Sequence, residues 1–411
     1  MKLKKISFNI YTILMMSTLF DAYAFFYIQS FPVTLFTIVS IIYVIQWGIK
    51  GKFKSIKITK QNVLISILIL YVIFNYIFRG CHNITSFLQT VYFLTLSLIA
   101  YRKELSGKFD GYCSLYQKIM TYISIYGIYQ FVGRIFGFPL TDLILKDHMV
   151  TGYNWTNATY ILGQTVYRSN AFFREPSYFG QMLAISLILY MPIFFERKKK
   201  EKKVLLSIII QGLAMITTLS GTGMFMLIIS FAVYSCIMVK KRSFWRKIIP
   251  ISVLAICVII YVLIFTSFGN YFVTRLNELF VYNRDASSGF VRFRSWIIVV
   301  KESWNSNMLL GSGIGTGSDY IAKYTIQYFG MTLNGFARVA TELGIIGIGL
   351  WCGMIISFLR KKQNILLSNR YLVICCSLIP LIFMQEAFSS NLFWMLIMLI
   401  NCRLYDIKKG V

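Results

Sequence analysis

Long apolar runs, each closed by a short block of lysine or arginine, recur along this chain and commit it to a membrane. A run of about 20 apolar residues matches the thickness of the bilayer's hydrocarbon layer when helical. The flanking Lys/Arg blocks then set which end of each run stays in the cytoplasm. With 57% hydrophobic residues over 411 positions, the sequence is not that of an ordinary soluble globule.

Runs and charges together predict an all-α polytopic membrane protein with about twelve transmembrane helices. The expected spans lie near 8–30, 32–49, 62–78, 84–100, 112–136, 177–195, 204–220, 223–239, 248–266, 336–358, 371–385 and 389–402. The short span at 371–385 and its successor also fit a re-entrant pair. Lys2, Lys4 and Lys5 before the first run and Lys408 and Lys409 after the last put both termini in the cytoplasm. Ala22-Tyr23-Ala24 loosely mimics a signal-peptidase site, but the apolar run continues through Phe25, Phe26 and Tyr27, so an uncleaved first span is expected.

One integral membrane domain therefore covers residues 1–411, with two large extracytoplasmic loops at 137–176 and 267–335. Short interfacial helices are expected in them. The clearest is Gly289–Trp304, where Phe293, Trp296, Ile297 and Val300 share a helical face. Gly311, Gly313, Gly315 and Gly317 then read as a flexible hinge. The run lacks the Lys-Ser/Thr ending of a phosphate loop and a flanking βαβ unit.

Lysine and arginine separate across this topology. Of 26 lysines 23 fall on the cytoplasmic side, whereas 9 of 16 arginines fall outside. Lysine suffices to hold a loop in the cytosol, but arginine's planar fork suits phosphate and carboxylate. An outer site for an anionic, phosphorylated ligand follows, with snorkelling to lipid head groups as the other reading. The net charge of +27 does not indicate nucleic acid, because it is cut into blocks between apolar runs. Those blocks meet membrane lipids instead. Two histidines are too few for a histidine metal site, and the eight cysteines follow no metal or disulfide pattern. No cofactor is expected.

Two outer stretches carry candidate chemistry. Arg168, Arg174 and Glu175 precede Pro176 and Ser177 at the start of the sixth span, where a proline-initiated helix offers a positive end to an anion. A local Arg174–Glu175 surface pair is the plainer alternative. The second loop supplies Arg275, Arg284, Arg292 and Arg294. Being two apart, Arg292 and Arg294 face one ligand only on an extended segment. Tyr153, Trp155 and Tyr160 suit sugar rings as well as a membrane interface.

The stretch from Arg168 to Gly180 resembles the Arg-to-Gly pattern of the first outer loop in O-antigen polymerases (the Wzy family), one residue longer than usual. Leu333-Asn334, followed after nine residues by Gly344-Ile345-Ile346-Gly347, resembles the signature of the related O-antigen ligases. There Leu333 stands where ligases carry histidine, which favours polymerase over ligase.

The resemblance implies glycosyl transfer on the outer face of the bacterial cytoplasmic (inner) membrane. An undecaprenyl-pyrophosphate-linked glycan would move onto the sugar hydroxyl of a fresh lipid-linked repeat unit, building O-antigen, capsule or exopolysaccharide without a metal. A chain-length regulator and a flippase are the partners such a pathway implies. Arg174 and Glu175 are expected to be catalytic, with Arg168, Arg292, Arg294 and Arg338 on pyrophosphate or glycan, and Glu342 and Glu386 in reserve as bases.

The main other class is a lipid-linked oligosaccharide flippase or transporter. Such a protein places ionisable residues near mid-membrane and shows repeated halves, whereas this chain invests in its outer loops. An envelope scaffold would have no need of outer arginines flanked by carboxylates.

Overall fold

A computed structural model describes residues 10–20, 22–28, 31–49, 60–79, 83–99, 108–143, 148–150, 158–161, 164–196, 202–238, 294–325, 333–359, 369–383, 390 and 392–400, with isolated positions between 246 and 290. The described chain is mostly helical. Among the described residues three helices, Lys60–Arg79, Pro176–Ile193 and Gly335–Ser357, are long and apolar enough to cross a membrane, and Leu35–Ile49, Ile84–Leu98, Gly221–Cys236 and Val373–Ile382 are shorter apolar helices. The ninth expected span falls almost wholly outside the described residues.

The first departure from expectation lies near the N-terminus. The expected span at 8–30 is a short helix, α1 (Ile10–Ser17), followed by an antiparallel hairpin of β1 (Ala24–Ile28) and β2 (Phe31–Thr34). Aromatic and β-branched residues fit a strand as well as a helix, and hydropathy alone does not separate the two. The hairpin is tied to residues 149–150: Tyr23 bridges Met149, the Val150 amide donates to Ala22 O at 3.0 Å, and Tyr27 Oη donates to Met149 O at 2.7 Å.

The helices that follow are α2 (Leu35–Ile49), α3 (Lys60–Arg79), α4 (Ile84–Ile99) and α5 (Phe109–Phe136). Helix α3 buries only one stripe, Asn62, Ile65, Leu68, Val72 and Asn75, whose three- and four-residue spacing marks a single face. Its other faces meet the surroundings, as a lipid-exposed helix requires. Helix α5 buries a longer stripe from Phe109 to Gly133 and ends on Gly137, whose positive φ of 73° lets the chain turn away.

Within residues 137–176, expected as an outer loop with short interfacial helices, the described residues include a second hairpin, β3 (Ala158–Ile161) against β4 (Gln164–Tyr167). Helix α6 (Pro176–Glu196) is the hub of the fold. It packs on α5, on α7 (Lys202–Thr218) and on α8 (Gly221–Met238), and is almost wholly buried. Continuous apolarity around the helix is the sequence counterpart of that position.

The segment 267–335, expected as the second outer loop, does contain helices, α9 (Ser295–Asn307) and α10 (Gly317–Thr325). The face of α9 differs from the expected one. Ser295, Val299, Val300 and Ser303 are buried against α11 (Gly335–Leu359), while Ile297 is exposed. The serines let α9 approach closely: Ser303 Oγ donates to Thr341 O at 2.9 Å, and Trp304 Nε1 to Ala340 O at 2.9 Å. Helix α12 (Asn369–Ile382) packs on α6 and α8, and residues 392–400 form a last buried helix.

Interactions at the helix ends sort the bundle into two poles. At one, Arg370 of α12 bonds Asp110 O and Ser114 Oγ of α5, and Gln61 of α3 reaches Ser357 O of α11. At the other, the C-terminal ends of α3, α5, α7 and α12 gather with the N-terminal ends of α6, α8 and α11 and with both hairpins. All described candidate site residues stand at this second pole.

Candidate functional site

The segment 168–175 is shaped by α5 and α7. Gln130 Oε1 accepts three hydrogen bonds at once, from Ser169 Oγ (3.2 Å) and from the amides of Asn170 (3.0 Å) and Ala171 (2.8 Å). One turn on, Arg134 Nη1 donates to Arg168 O at 2.7 Å, and Nη2 pairs with Asp142 at 2.5 Å. The Ser169 amide donates to Thr217 O at 3.0 Å. This grip holds Ala171 at φ 47°, a left-handed conformation that a side chain disfavours.

That turn delivers Arg174 and Glu175 to the start of α6. Pro176 opens the helix, Glu175 O accepts from the Tyr178 and Phe179 amides at 3.1 and 3.2 Å, and Ser177 Oγ donates to Glu175 Oε2 at 2.9 Å. The Glu175 carboxylate is thereby oriented over the positive end of a buried helix. Arg168, Arg174 and Glu175 are half-buried. Gly180, the end of this motif, serves packing instead. A Cβ there would meet Gly223 Cα at 3.1 Å, so the bare glycine permits backbone contact between α6 and α8.

The second motif is built around a broken helix. Asn334 caps α11 through Oδ1, which accepts from the Ala337 amide at 2.8 Å. At Gly344 (φ 64°, ψ −164°) the helix breaks. In an unbroken helix the Ile345 and Ile346 amides would donate to Thr341 O and Glu342 O. Here they donate to Met308 O (3.0 Å) and Leu309 O (3.3 Å), while the two freed carbonyls accept from the Ser312 (2.9 Å) and Gly313 (3.0 Å) amides.

The glycine run is therefore stitched into the helix break and does not form the expected hinge. Gly311 and Gly344 approach backbone to backbone, and Arg79 Nη2 donates to Gly311 O at 2.6 Å, Asn75 Nδ2 to Leu310 O at 2.7 Å, and Tyr71 Oη to Leu343 O at 2.8 Å. Gly347 has no room for a Cβ beside Leu343. Both glycines of the signature are thus backbone requirements.

Between the cap and the break, Arg338 Nε pairs with Glu342 Oε2 at 3.4 Å, with side chains only 6% and 5% exposed. Leu333 is buried, and its Cδ1 and Glu342 Oε1 both crowd Gly317, at 2.5 and 3.1 Å from where a Cβ would stand. Arg294 occupies the residue before α9. Arg292, Glu386, Arg275, Arg284, Tyr153 and Trp155 lie outside the described residues.

The described candidates thus form two groups, Arg168–Arg174–Glu175 in the segment before α6 and Arg338–Glu342 on α11, joined by one core that contains Phe173, Phe179, Val339 and Leu343. Sequence reasoning missed Gln130, Arg134, Asn75 and Arg79, which hold these groups in place. Nothing local marks them, since each acts on chain about 35 or more residues away.

Chemically, the half-buried arginines offer forked donors to a phosphorylated anion, and the two carboxylates offer acceptors for a hydroxyl. No curated protein matches the chain. Residues 204–352, from the first turn of α7 into α11 and so excluding the Arg168–Gly180 stretch, match the family model described as O-antigen ligase, which supports a place among the membrane ligases and polymerases of bacterial polysaccharides.

Proposed function

We infer that this chain is a polysaccharide polymerase of the bacterial cytoplasmic membrane. In this reading a glycan linked to undecaprenyl pyrophosphate is the donor, and the sugar hydroxyl of a second lipid-linked repeat unit is the acceptor. The observation that carries the reading is the gripped turn 168–175, which presents two arginines and an oriented carboxylate at the N-terminus of the central helix, beside a region matching the O-antigen ligase family.

Arg174 and Arg168, with Arg294 or Arg292 from the expected second outer loop, neutralise the charge that develops on the departing pyrophosphate. Glu175 orients the acceptor hydroxyl. The remaining contribution is alignment of two lipid-tailed substrates, which converts a bimolecular encounter into a held geometry. Leu333 in the signature's histidine position favours polymerase over ligase.

Gel separation of envelope glycans from a deletion strain tests the assignment. Loss of a polymerase leaves single repeat units in place of long chains. A ladder of normal length stranded on its lipid carrier identifies a ligase instead, and undecorated single units held on the cytoplasmic leaflet identify a flippase.

A further inference from the structure

We propose that Glu342 takes the proton from the acceptor hydroxyl, in the place left open by Leu333; this rests on the glycan-transfer reading above. Three observations meet on the first turns of α11. Glu342 Oε1 and Leu333 Cδ1 crowd the same point at Gly317, so the carboxylate stands next to the signature's first position. Glu342 is held by Arg338 in an ion pair nearly closed to solvent.

Asn334 Nδ2 and Thr341 Oγ1 are also buried, with no hydrogen-bond partner among the described residues. Asn334, Arg338, Thr341 and Glu342 follow the spacing i, i+4, i+7, i+8, which places them on one face of the helix.

Stability does not account for that stripe. A buried ion pair contributes little net stability, and well-packed apolar residues of similar volume commonly do as well. Keeping one at the end of an apolar helix, beside two buried polar atoms without partners among the described residues, fits a polar ligand that the stripe receives. A sugar hydroxyl matches this chemistry: Asn334 Nδ2 donates to its oxygen or a neighbouring one, Thr341 Oγ1 exchanges a hydrogen bond, and Glu342 accepts the proton.

The step balances without a metal or oxidant. The acceptor O–H bond breaks and its proton passes to the Glu342 carboxylate. The oxygen lone pair forms the new bond to the donor's anomeric carbon. The bond from that carbon to the pyrophosphate oxygen breaks, its electron pair stays with the leaving group, and the proton passes from Glu342 to the released pyrophosphate or to water. Arg338, paired with Glu342 at 3.4 Å, fixes the orientation of that carboxylate.

The test uses the purified full-length chain in lipid vesicles with its lipid-linked repeat unit, measuring chain extension and binding of the repeat unit separately. Glu342→Gln is expected to lower turnover by at least about a hundredfold, the usual contribution of a general base, with binding little changed. Adding Leu333→His to Glu342→Gln is expected to restore part of the turnover, because the new imidazole enters the same space.

Turnover within a few-fold of wild type in Glu342→Gln overturns the proposal. So does loss of binding together with turnover and no rescue by Leu333→His, which would make Glu342 a purely structural partner of Arg338. If Glu342→Gln fails to insert, Glu342→Asp keeps a negative charge near Arg338 while withdrawing the carboxylate, and full turnover in that variant overturns the proposal equally. Absence of glycan transfer by the wild-type chain defeats the polymerase reading itself, a failure recognisable without any variant.

Discussion

Gly180 of α6 and Gly223 of α8 touch through their backbones: a Cβ at Gly223 would stand 2.6 Å from Gly180 Cα and 3.0 Å from its carbonyl oxygen. No flexible side chain is there to give way, so the helices themselves must part. Gly223→Ala is expected to cost about 1–3 kcal/mol, the usual penalty of overpacking. Thermal unfolding in detergent checks this, and an unchanged midpoint would mean that the two helices separate freely.

Gln130 concentrates three donors on one oxygen. Replacing it with Leu leaves three buried donors without an acceptor, each costing about 1–3 kcal/mol. Loosening of the turn 168–171 should follow. Hydrogen exchange at the Asn170 and Ala171 amides is expected to speed up by at least tenfold, while amides within α6 hold their protection.

Arg174 has a geometric role in the proposed chemistry. Arg174→Lys retains the charge but loses the paired donors, so turnover is expected to fall about a hundredfold or more, as when one preorganised donor is removed. The protein should still reach the membrane at normal abundance. Polymer of normal length from Arg174→Ala would rule out the pyrophosphate clamp.

The pole that gathers the candidate residues is expected to face away from the cytoplasm. Reporter fusions at Ser55, Lys200 and Gln363 should report inside, and fusions at Gly152 and Ser306 outside. A cytoplasmic signal at Gly152 would place the gripped turn on the wrong side for lipid-linked glycan.

Much of the helical framework was legible because span-length apolar runs and basic blocks are local, redundant signals. Helices α3, α4, α6, α7, α8 and α11 all lie close to expected spans. The β1–β2 hairpin was not legible, since Phe25, Phe26, Tyr27 and Ile28 suit either a strand or a membrane helix. The geometry of the candidate site was legible only in part. Arg174 and Glu175 were marked by Pro176 beside them, whereas Gln130 and Arg79 look like any polar residue near a helix end until the chain they bind is folded against them. The buried face of α9 differs from the apolar one expected because Ser295 and Ser303 are small enough for close contact with α11.

The break at Gly344 and the segment 308–313 each complete the other's backbone hydrogen bonds. In hydrocarbon or at its edge neither has a substitute partner, because an unsatisfied amide or carbonyl there costs several kcal/mol. During synthesis the segment 308–313 emerges well before α11, so it must wait for a helix not yet made. Joining the segment 308–313 to α11 is consequently a late event in biogenesis, and a chain truncated before α11 would expose loose ends for quality-control proteases to cut.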